Sequence, residues 1–296
     1  MSNFNDEAKK YANIIEQELQ KHIRNKNCIE KKLNDSMEYS LMSGGKRIRA
    51  TLIISTYKLF KEDFEVAMPF AVAIEMIHNF SLIHDDLPAI DNDDLRRGKP
   101  TNHKKYGEST AILAGDGLLN NAYMVIANTI LNSKGIEQER NIKAFKEFSE
   151  AVDKMIIGEY VDVEYEGKDI SKQHLEYIHN NKTGALITAC CRIGAILAGA
   201  NDENLEKLTK YSQKIGLAFQ IRDDILSVIG NEEILGKPVG NDKKLGKCTY
   251  VKLYGLEEAK RVLKELTNEA VNIMETYDKK GEFLKELALY IENRNK

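Results

Sequence analysis

The chain has 296 residues, of which 42% are hydrophobic and 30% are charged, and its formal net charge is -3. This balance is typical of a soluble globular protein, and the absence of a broad positive field predicts no nucleic-acid partner. No stretch approaches the roughly 18 uninterrupted apolar residues of a membrane span, and the charged N-terminus lacks the apolar core of a secretory signal, so we expect a cytoplasmic protein.

Helices are predicted along almost the whole chain. The first carries one apolar face, formed by Phe4, Ala8, Tyr11, Ile15 and Leu19. Only four prolines occur, and none lies between positions 101 and 237, which permits long uninterrupted helices. We see no linker and no break in composition, so the sequence predicts an all-α fold with a single domain over residues 1–296. The four cysteines have neither metal-ligand nor disulfide spacing, and we expect them to be reduced.

The stretch GGKRIR lies at positions 44–49. The pair Gly44–Gly45 breaks the helix, and Lys46 and Arg49 stand three positions apart at the start of the next one. Such residues, together with backbone N–H groups at a helix N-terminus, bind phosphate well. The stretch is not a P-loop, because the first glycine of that motif is missing. Taken alone, basic residues after a helix break usually lie on the surface.

The next helix ends in an acidic pair. His78, Ser81 and Asp85 share one face of this helix, and Pro88 ends it soon after Asp85 and Asp86. Anions are disfavoured at a helix C-terminus by the macrodipole. A neutralising cation would relieve that repulsion, and Mg²⁺ prefers hard oxygen ligands.

More charge follows within a few residues. Asp91, Asp93 and Asp94 add carboxylates, and Arg96 and Arg97 add bidentate donors for phosphate. An ordinary solvated acidic loop is the usual alternative for such a charge run. An EF-hand is disfavoured, because its glycine and terminal glutamate are not in place.

A second acidic pair echoes the first. SLIHDDL at 81–87 and FQIRDDI at 219–225 align around their aspartates, which stand 138 residues apart. The two pairs can therefore face each other from different helices across one cavity. Acids suited to Mg²⁺ and bases suited to phosphate in one chain indicate a diphosphate substrate.

The motifs together resemble those of the trans-prenyl diphosphate synthases. HDDLPAIDNDDLRRGKPTNH is similar to the first aspartate-rich motif of that family, in its six-spaced bacterial form. GGKRIR, the KTG triplet at 182–184, FQIRDD, LGKPVGND and LGKCTY match the other family motifs in order and spacing, over nearly the whole chain. By itself, the KTG triplet would indicate no more than a helix irregularity.

The resemblance implies roles for individual residues. Mg²⁺ would be bound by Asp85, Asp86, Asp91, Asp223 and Asp224. The allylic diphosphate would contact Arg96, Lys182 and Lys237, and Lys247 belongs to the same substrate-binding set. The diphosphate of isopentenyl diphosphate would contact Gly45, Lys46, Arg49, His78 and Arg97. Thr183 and Gln220 would turn oxygen atoms toward the carbocation.

The resemblance also implies a fold and an activity. The fold is a large helical barrel around a deep central cavity, usually as a homodimer. The activity is condensation of isopentenyl diphosphate with dimethylallyl or geranyl diphosphate, with about three Mg²⁺ ions per substrate-bound site. Phe80, beside Ser81 and below the first motif, predicts that the fifteen-carbon farnesyl diphosphate is the main product. A twenty-carbon product is the alternative.

Two positions depart from the family pattern. Glu159 stands where the family usually has glutamine, and Ser227 stands where the second motif usually has a third aspartate. Ser227 shares a helix face with Gln220 and Asp223, and our hypothesis is that it orders a water at most.

Two other functions compete with this interpretation. A class I terpene cyclase has a similar second motif, but here position 231 is Asn231 and the glutamate comes one residue late. A cyclase would also leave the second set of phosphate-binding residues unexplained. A non-catalytic subunit of a longer-chain synthase usually lacks acids of the first motif, and this chain keeps them all.

Overall fold

The computed structural model describes residues 2–23, 28–229 and 249–295, and these residues are almost entirely helical. The described α-helices, numbered here in chain order, are α1 (Ser2–Lys21), α2 (Lys31–Leu41), α3 (Ile48–Lys58), α4 (Met68–Asp85), α5 (Asn102–Tyr106), α6 (Glu108–Asn132), α7 (Gly135–Glu164), α8 (Lys172–Ile178), α9 (Ala185–Ala198), α10 (Asp202–Ile229), α11 (Tyr250–Tyr254), α12 (Leu256–Glu275) and α13 (Glu282–Asn293). Shorter elements are the 3₁₀ turns Glu65–Ala67 and Asp278–Gly281 and the π-helix His179–Gly184. The predicted all-α fold is confirmed.

Helices α3 and α4 form the centre of the fold. Every residue from Ala50 to Tyr57 and from Phe70 to Ile77 is buried, because α3 packs on α9 and α4, and α4 packs on α6. A helix that is apolar on all sides is suited to such complete enclosure. Of the described helices, only the stretch Glu65–Asp85 is long and apolar enough to cross a membrane, and 67% of its most apolar window is buried inside the protein. That burial is expected of a core helix.

Prolines set the ends of α4. Pro69 lies in its first turn, where the missing N–H group has no helical partner to lose. The helix ends at Asp85, three residues before Pro88, because proline cannot continue the hydrogen-bond ladder. The first acidic pair is thereby placed at the end of the central helix.

A short β-hairpin follows α4, although no strand is evident in the sequence. Strand β1 (Leu95–Arg96) pairs antiparallel with β2 (Lys99–Pro100). The two residues between them, Arg97 and Gly98, have φ values of 53° and 72°. A two-residue hairpin turn favours positive φ at both positions, so the turn fixes where the arginine side chain begins.

The KTG triplet lies in the π-helix that precedes α9. This irregular turn spans His179–Gly184 and packs against α7 and α10. The contact with α7 is very close, since a Cβ atom at Gly158 would lie 2.2 Å from the backbone nitrogen of Lys182. π-Turns are frequent at functional sites, because the extra residue redirects the side chains around it.

Candidate active site

Part of the predicted site lines a cavity of about 450 Å³. Its walls come from α4, α7, the π-helix and α10, with Arg49 contributed by α3. Polar and charged lining residues are Arg49, His78, Ser81, His84, Asp85, Glu159, Tyr160, Lys182, Thr183, Gln220 and Asp223. The apolar lining residues are Leu82, Ile90, Met155, Ile156, Val163 and Phe219. Many polar groups converge on this cavity, although most of its exposed surface is apolar, and such a combination is typical of a small-molecule site.

The two aspartates of the first motif point in different directions. Asp85 lines the cavity, whereas Asp86 is buried outside it. Both carboxylate oxygens of Asp86 accept from the Nε of Arg96, at 2.7 and 2.9 Å, and the Nη2 of Arg96 lies 2.6 Å from Oδ1. Consecutive side chains at a helix end are separated by about 100°, so only one of them faces a given cavity. Asp86 therefore holds Arg96 rather than joining Asp85 on the cavity wall.

Burial makes Asp85 a carboxylate that needs a cation. Burial, reinforced by Glu159, raises the pKa of Asp85 to about 8, although Lys182 and Arg96 act in the opposite direction. The negative form is therefore poorly neutralised by the protein alone. Asp91 lies close by along the backbone, where its N–H donates to the carbonyl of Asp85 at 2.9 Å.

The second acidic pair divides in the same way. Asp223 lines the cavity, and its Oδ1 accepts from the Nη2 of Arg294 at 2.7 Å. Asp224 is buried, and its Oδ2 accepts from the backbone N–H of Tyr250 at 2.5 Å, with the Nε2 of His179 3.8 Å away. Asp224 thus anchors the start of α11.

Ser227 is engaged within its own helix. Its hydroxyl donates to the carbonyl of Asp224 at 2.9 Å, and the side chain is partly buried. It is not among the residues that line the cavity. This position agrees with a minor role, although the role stays a prediction.

Arg47 and Arg49 stand two positions apart, but their side chains have different surroundings. Arg47 is buried and bonds to Glu75 at 3.3 Å, to Glu16 at 3.4 Å and to the carbonyl of Leu41 at 2.8 Å. Arg49 faces the cavity, and its buried Nε has no hydrogen-bond partner. An unpaired guanidinium donor in a cavity is suited to an anionic ligand.

Lys46 extends from the same loop and is exposed. Its Nζ lies 5.2 Å above the ring of Tyr290 in α13, a cation–π contact. The C-terminal helix therefore borders the predicted isopentenyl diphosphate site.

The hairpin arginine Arg97 packs against the glycine pair. Its Nη1 donates to the Oγ of Ser43 at 3.1 Å and to the carbonyl of Gly44. Gly45 has a φ of 130°, a conformation that favours glycine, and a Cβ atom there would also lie 2.9 Å from Nη2.

His78 belongs to the same positive region. Burial, followed by Arg49 and Arg97, lowers the pKa of His78 well below its ordinary value. The imidazole that lines the cavity is therefore neutral at physiological pH, and it can donate one hydrogen bond to an anion.

Lys182 is held between two carboxylates of α7. Its Nζ lies 2.7 Å from Glu159 Oε2 and 2.6 Å from Asp162 Oδ2. These partners raise the pKa of Lys182 despite its burial, so the ammonium stays charged. Thr183 and Gln220 line the cavity beside it.

Below the acidic end of α4, the cavity wall includes Ser81 and His84. Ser81 donates to the carbonyl of His78 at 3.0 Å, so its hydroxyl is already used. Phe80 is buried and does not line the cavity, but its ring packs edge-on against His84 at 4.9 Å between centroids. Phe80 therefore contacts the cavity wall through His84.

Sequence reasoning missed two partners of the site. Asp162 stands three residues after Glu159, and this helical spacing could have indicated a shared face. Arg294 lies 71 residues from Asp223, and no local pattern could have indicated their contact. The predicted substrate residues Lys237 and Lys247, and the cyclase-like position Asn231, lie outside the described residues.

The donor set fits Mg²⁺. Within the described part of the chain, no three carboxylate, histidine or cysteine side chains form a group that could hold a metal on their own. Mg²⁺ does not need such a cage, because it usually binds one or two carboxylates together with waters and substrate phosphates. Asp223 Oδ1 pairs with a cation in the metal-free protein, the guanidinium of Arg294 at 2.7 Å.

Comparisons with known proteins point the same way. The family model described as polyprenyl synthetase matches residues 30–287. A farnesyl diphosphate synthase from Geobacillus stearothermophilus is 47% identical over 234 residues, 78% of this chain and 78% of that protein. A chloroplastic geranylgeranyl pyrophosphate synthase from Catharanthus roseus is 46% identical over 268 residues, 89% of this chain and 74% of that protein. Similarity alone therefore does not distinguish these two product lengths.

Solved structures agree in fold. An FPP/GFPP synthase from Zymomonas mobilis superposes with a TM-score of 0.87 at 30% identity, covering 98% of this chain and 99% of that one. A geranyltransferase from Helicobacter pylori, complexed with magnesium and isoprenyl diphosphate, gives a TM-score of 0.83 at 29% identity, covering 99% and 96% of the two chains.

Proposed function

The chain belongs to the polyprenyl synthetase family, and from this premise we propose that it makes farnesyl diphosphate from isopentenyl diphosphate and dimethylallyl or geranyl diphosphate. The broader activity, trans-prenyl transfer, is that of its relatives. The proposal concerns the substrates, the product length and the roles of individual residues.

One observation carries the proposal. Asp85 and Asp223, from two helices far apart in sequence, line the same cavity as Arg49 and Lys182. Oxygen ligands for a metal and cations for phosphate thus surround one space with apolar walls. Two diphosphates and two hydrocarbon chains require this combination, because charge must be neutralised at one end and water excluded at the other.

The reaction begins with ionisation of the allylic substrate. The C1–O bond breaks, and its electron pair goes to the departing diphosphate. Lys182 stabilises the negative charge that develops on the departing diphosphate, while Arg49 binds the diphosphate of isopentenyl diphosphate. Bound Mg²⁺, held by Asp85, Asp91 and Asp223, would supply further Lewis-acid stabilisation of the same leaving group.

Condensation follows in the apolar part of the cavity. The double bond of isopentenyl diphosphate attacks C1 of the allylic cation, and a new carbon–carbon bond forms. Loss of a proton from C2 of the isopentenyl unit restores a double bond, and the released diphosphate accepts that proton. Thr183 and Gln220 would direct oxygen atoms at the cation, and Met155 and Phe219 would exclude water.

The direct test is a product assay. Purified protein is incubated with labelled isopentenyl diphosphate, each allylic starter and Mg²⁺, and the products are separated by chain length. We expect mainly the fifteen-carbon product and no activity with EDTA. We also expect about three Mg²⁺ ions per loaded site. Geranylgeranyl diphosphate as the main product would overturn the assignment of farnesyl diphosphate as the product. Hydrocarbon formed from farnesyl diphosphate alone would favour a cyclase. Absence of any condensation would favour a non-catalytic subunit.

A homodimer is part of the proposal. Leu113, Met124 and Leu131 are exposed at 56%, 51% and 77%, and their spacing places them on one side of α6. An apolar stripe of this kind is suited to a second copy of the same helix. Light scattering should give twice the 33.6 kDa chain mass, and Met124→Glu should shift the protein toward the monomer. A monomeric wild type would contradict the assignment. We also propose a cytoplasmic location, consistent with free thiols at Cys190 and Cys191.

A further inference from the structure

Glu159 and Asp162 form a clamp around Lys182, and their two negative charges exceed the single positive charge of its ammonium group. Glu159 and Asp162, three residues apart on α7, each lie within 2.7 Å of its Nζ. An ammonium has three N–H donors, so one donor is left for a substrate phosphate. The two carboxylates put two negative groups against one positive group.

Glu159 has an oxygen that the protein leaves unsatisfied. Its Oε2 bonds to Lys182, but its Oε1 is buried and has no hydrogen-bond partner. The residue lines the same cavity as Asp85. A desolvated carboxylate oxygen without a donor is destabilising, so the resting site favours any cation or donor that enters beside it.

The surplus negative charge around Lys182 and the unsatisfied oxygen of Glu159 act differently on metal-free diphosphate and on metal-bound diphosphate. A diphosphate that arrives without metal meets one ammonium that is outnumbered by the two carboxylates Glu159 and Asp162, and the surplus negative charge repels it. A diphosphate that arrives with Mg²⁺ brings positive charge and bound water to the unsatisfied oxygen. The clamp therefore discriminates between the two forms without moving.

We propose that Glu159 is a positioning residue that makes binding of the allylic diphosphate conditional on a divalent cation. It holds Lys182 with one oxygen, cancels the attraction of Lys182 for free diphosphate, and offers the other oxygen to the cation shell of the metal-bound form. This inference rests on the proposed function, because it assigns the Lys182 side of the cavity to the allylic diphosphate.

The test compares inorganic diphosphate binding with and without metal. Calorimetry measures its affinity in EDTA and in saturating Mg²⁺ for the wild type and for Glu159→Gln, which keeps the shape and one acceptor but removes the charge. We expect metal-free binding by the variant to tighten by about tenfold, since one repulsive charge is removed. Binding in Mg²⁺ should stay the same or weaken. The ratio of the two affinities should therefore fall by about tenfold or more.

Matched variants separate the charge from general disturbance. Glu159→Asp keeps the charge and should keep a ratio close to that of the wild type. Glu147→Gln removes a carboxylate from the same helix. Glu147 does not line this cavity and pairs with Arg192 at a distance of 2.6 Å, so this variant should leave the ratio unchanged. Asp162→Asn removes the other carboxylate of the clamp and should also tighten metal-free binding. This variant replaces Glu159→Gln in the test if Glu159→Gln fails to fold.

The outcomes separate this inference from the proposed function. If the wild type condenses its substrates but the clamp variants bind diphosphate with the wild-type ratio, the conditional role is overturned and the synthase assignment stands. If the wild type fails to condense them, the synthase assignment is overturned, and the inference falls with it unless diphosphate binding still shows the predicted ratio change.

Discussion

Asp223 and Asp224 are adjacent in sequence, yet their carboxylates contact different parts of the protein. Asp223 faces the cavity and a cationic partner, while Asp224 caps the backbone of Tyr250. Ser227, one turn further on, donates to its own helix. The geometry therefore ranks three residues of one motif by their access to the site.

This ranking predicts a graded mutation series. Asp223→Ala should lower kcat/KM by about 100-fold or more, because the Mg²⁺ proposed to stabilise the leaving group loses a ligand. Ser227→Ala should change it by no more than about twofold, as expected where no functional contact is removed. Steady-state kinetics over a range of Mg²⁺ concentrations would measure both. Equal losses would show that Ser227 is a true ligand and would revive the cyclase-like interpretation.

Asp224→Asn provides the control for this series. It should lower the melting temperature, because the bond to Tyr250 is weakened, while shifting the Mg²⁺ requirement less than Asp223→Asn does. A larger shift in Mg²⁺ requirement for Asp224→Asn would place that carboxylate in the metal shell instead.

Phe80 is a second residue whose effect is indirect. Its ring supports His84, and His84 forms part of the cavity wall. Phe80→Ala should open space below Asp85 and shift the product distribution toward longer chains, measured by chromatography of the dephosphorylated products. Phe80→Leu keeps most of the volume and should shift it less. An unchanged distribution in both variants would show that another part of the wall sets the length.

At the level of elements, the contact between α7 and the π-helix positions the Lys182 clamp. Gly158 permits this contact, because any larger residue would press on the backbone of Lys182. The irregular turn and the glycine therefore work together, and neither would place Lys182 beside Glu159 and Asp162 without the other.

Gly158→Ala tests this arrangement. The added methyl would lie 2.2 Å from a backbone nitrogen, so we expect a loss of about 1–3 kcal/mol in the free energy of unfolding and a higher KM for the allylic substrate. Denaturant titration and steady-state kinetics would measure these effects.

Gly117→Ala is a suitable control in another helix. Its methyl would meet the sulfur of Met37, the flexible end of a side chain that can move aside. We expect that variant to be close to neutral, and equal losses in the two variants would show that the α7 contact is not special.

At the level of the whole molecule, the buried acid of the first motif links stability to pH. The pKa of Asp85 is raised to about 8 in the folded, metal-free protein, from an ordinary value of 3.8. Between these values the unfolded chain is ionised and the folded protein keeps its proton, so unfolding releases a proton. Stability therefore falls as pH rises through this range and levels off above about pH 8.

His179 acts in the opposite sense at lower pH. Burial lowers the pKa of His179 from 6.5 to about 4, so the stability that its neutral form contributes is lost as pH falls from 6.5 toward 4. The contribution of Asp85 is therefore best observed above pH 6.5.

The expected result is a steeper fall in melting temperature between pH 6.5 and 8 for the metal-free wild type than for Asp85→Asn. The difference corresponds to at most about 1.4 kcal/mol per pH unit. Addition of Mg²⁺ with diphosphate should flatten the wild-type profile. Parallel profiles for the two proteins would contradict the raised pKa of Asp85.

The sequence by itself determined the features that depend on local spacing. Helical periodicity and the placement of four prolines predicted an all-α fold, and Pro88 placed the first acids at a helix end. The repeated acidic pairs with nearby bases indicated a metal and diphosphate site. These predictions succeed because helix formation and helix ends are governed by residues within a few positions of one another.

Only the tertiary structure decided which member of each pair reaches the cavity. Asp85 rather than Asp86, Asp223 rather than Asp224, and Arg49 rather than Arg47 line it. The same holds for the clamp on Lys182 and for Arg294, whose partner lies 71 residues away. Packing between distant helices fixes the rotation of each helix about its axis, and neighbouring side chains about 100° apart then meet different surroundings.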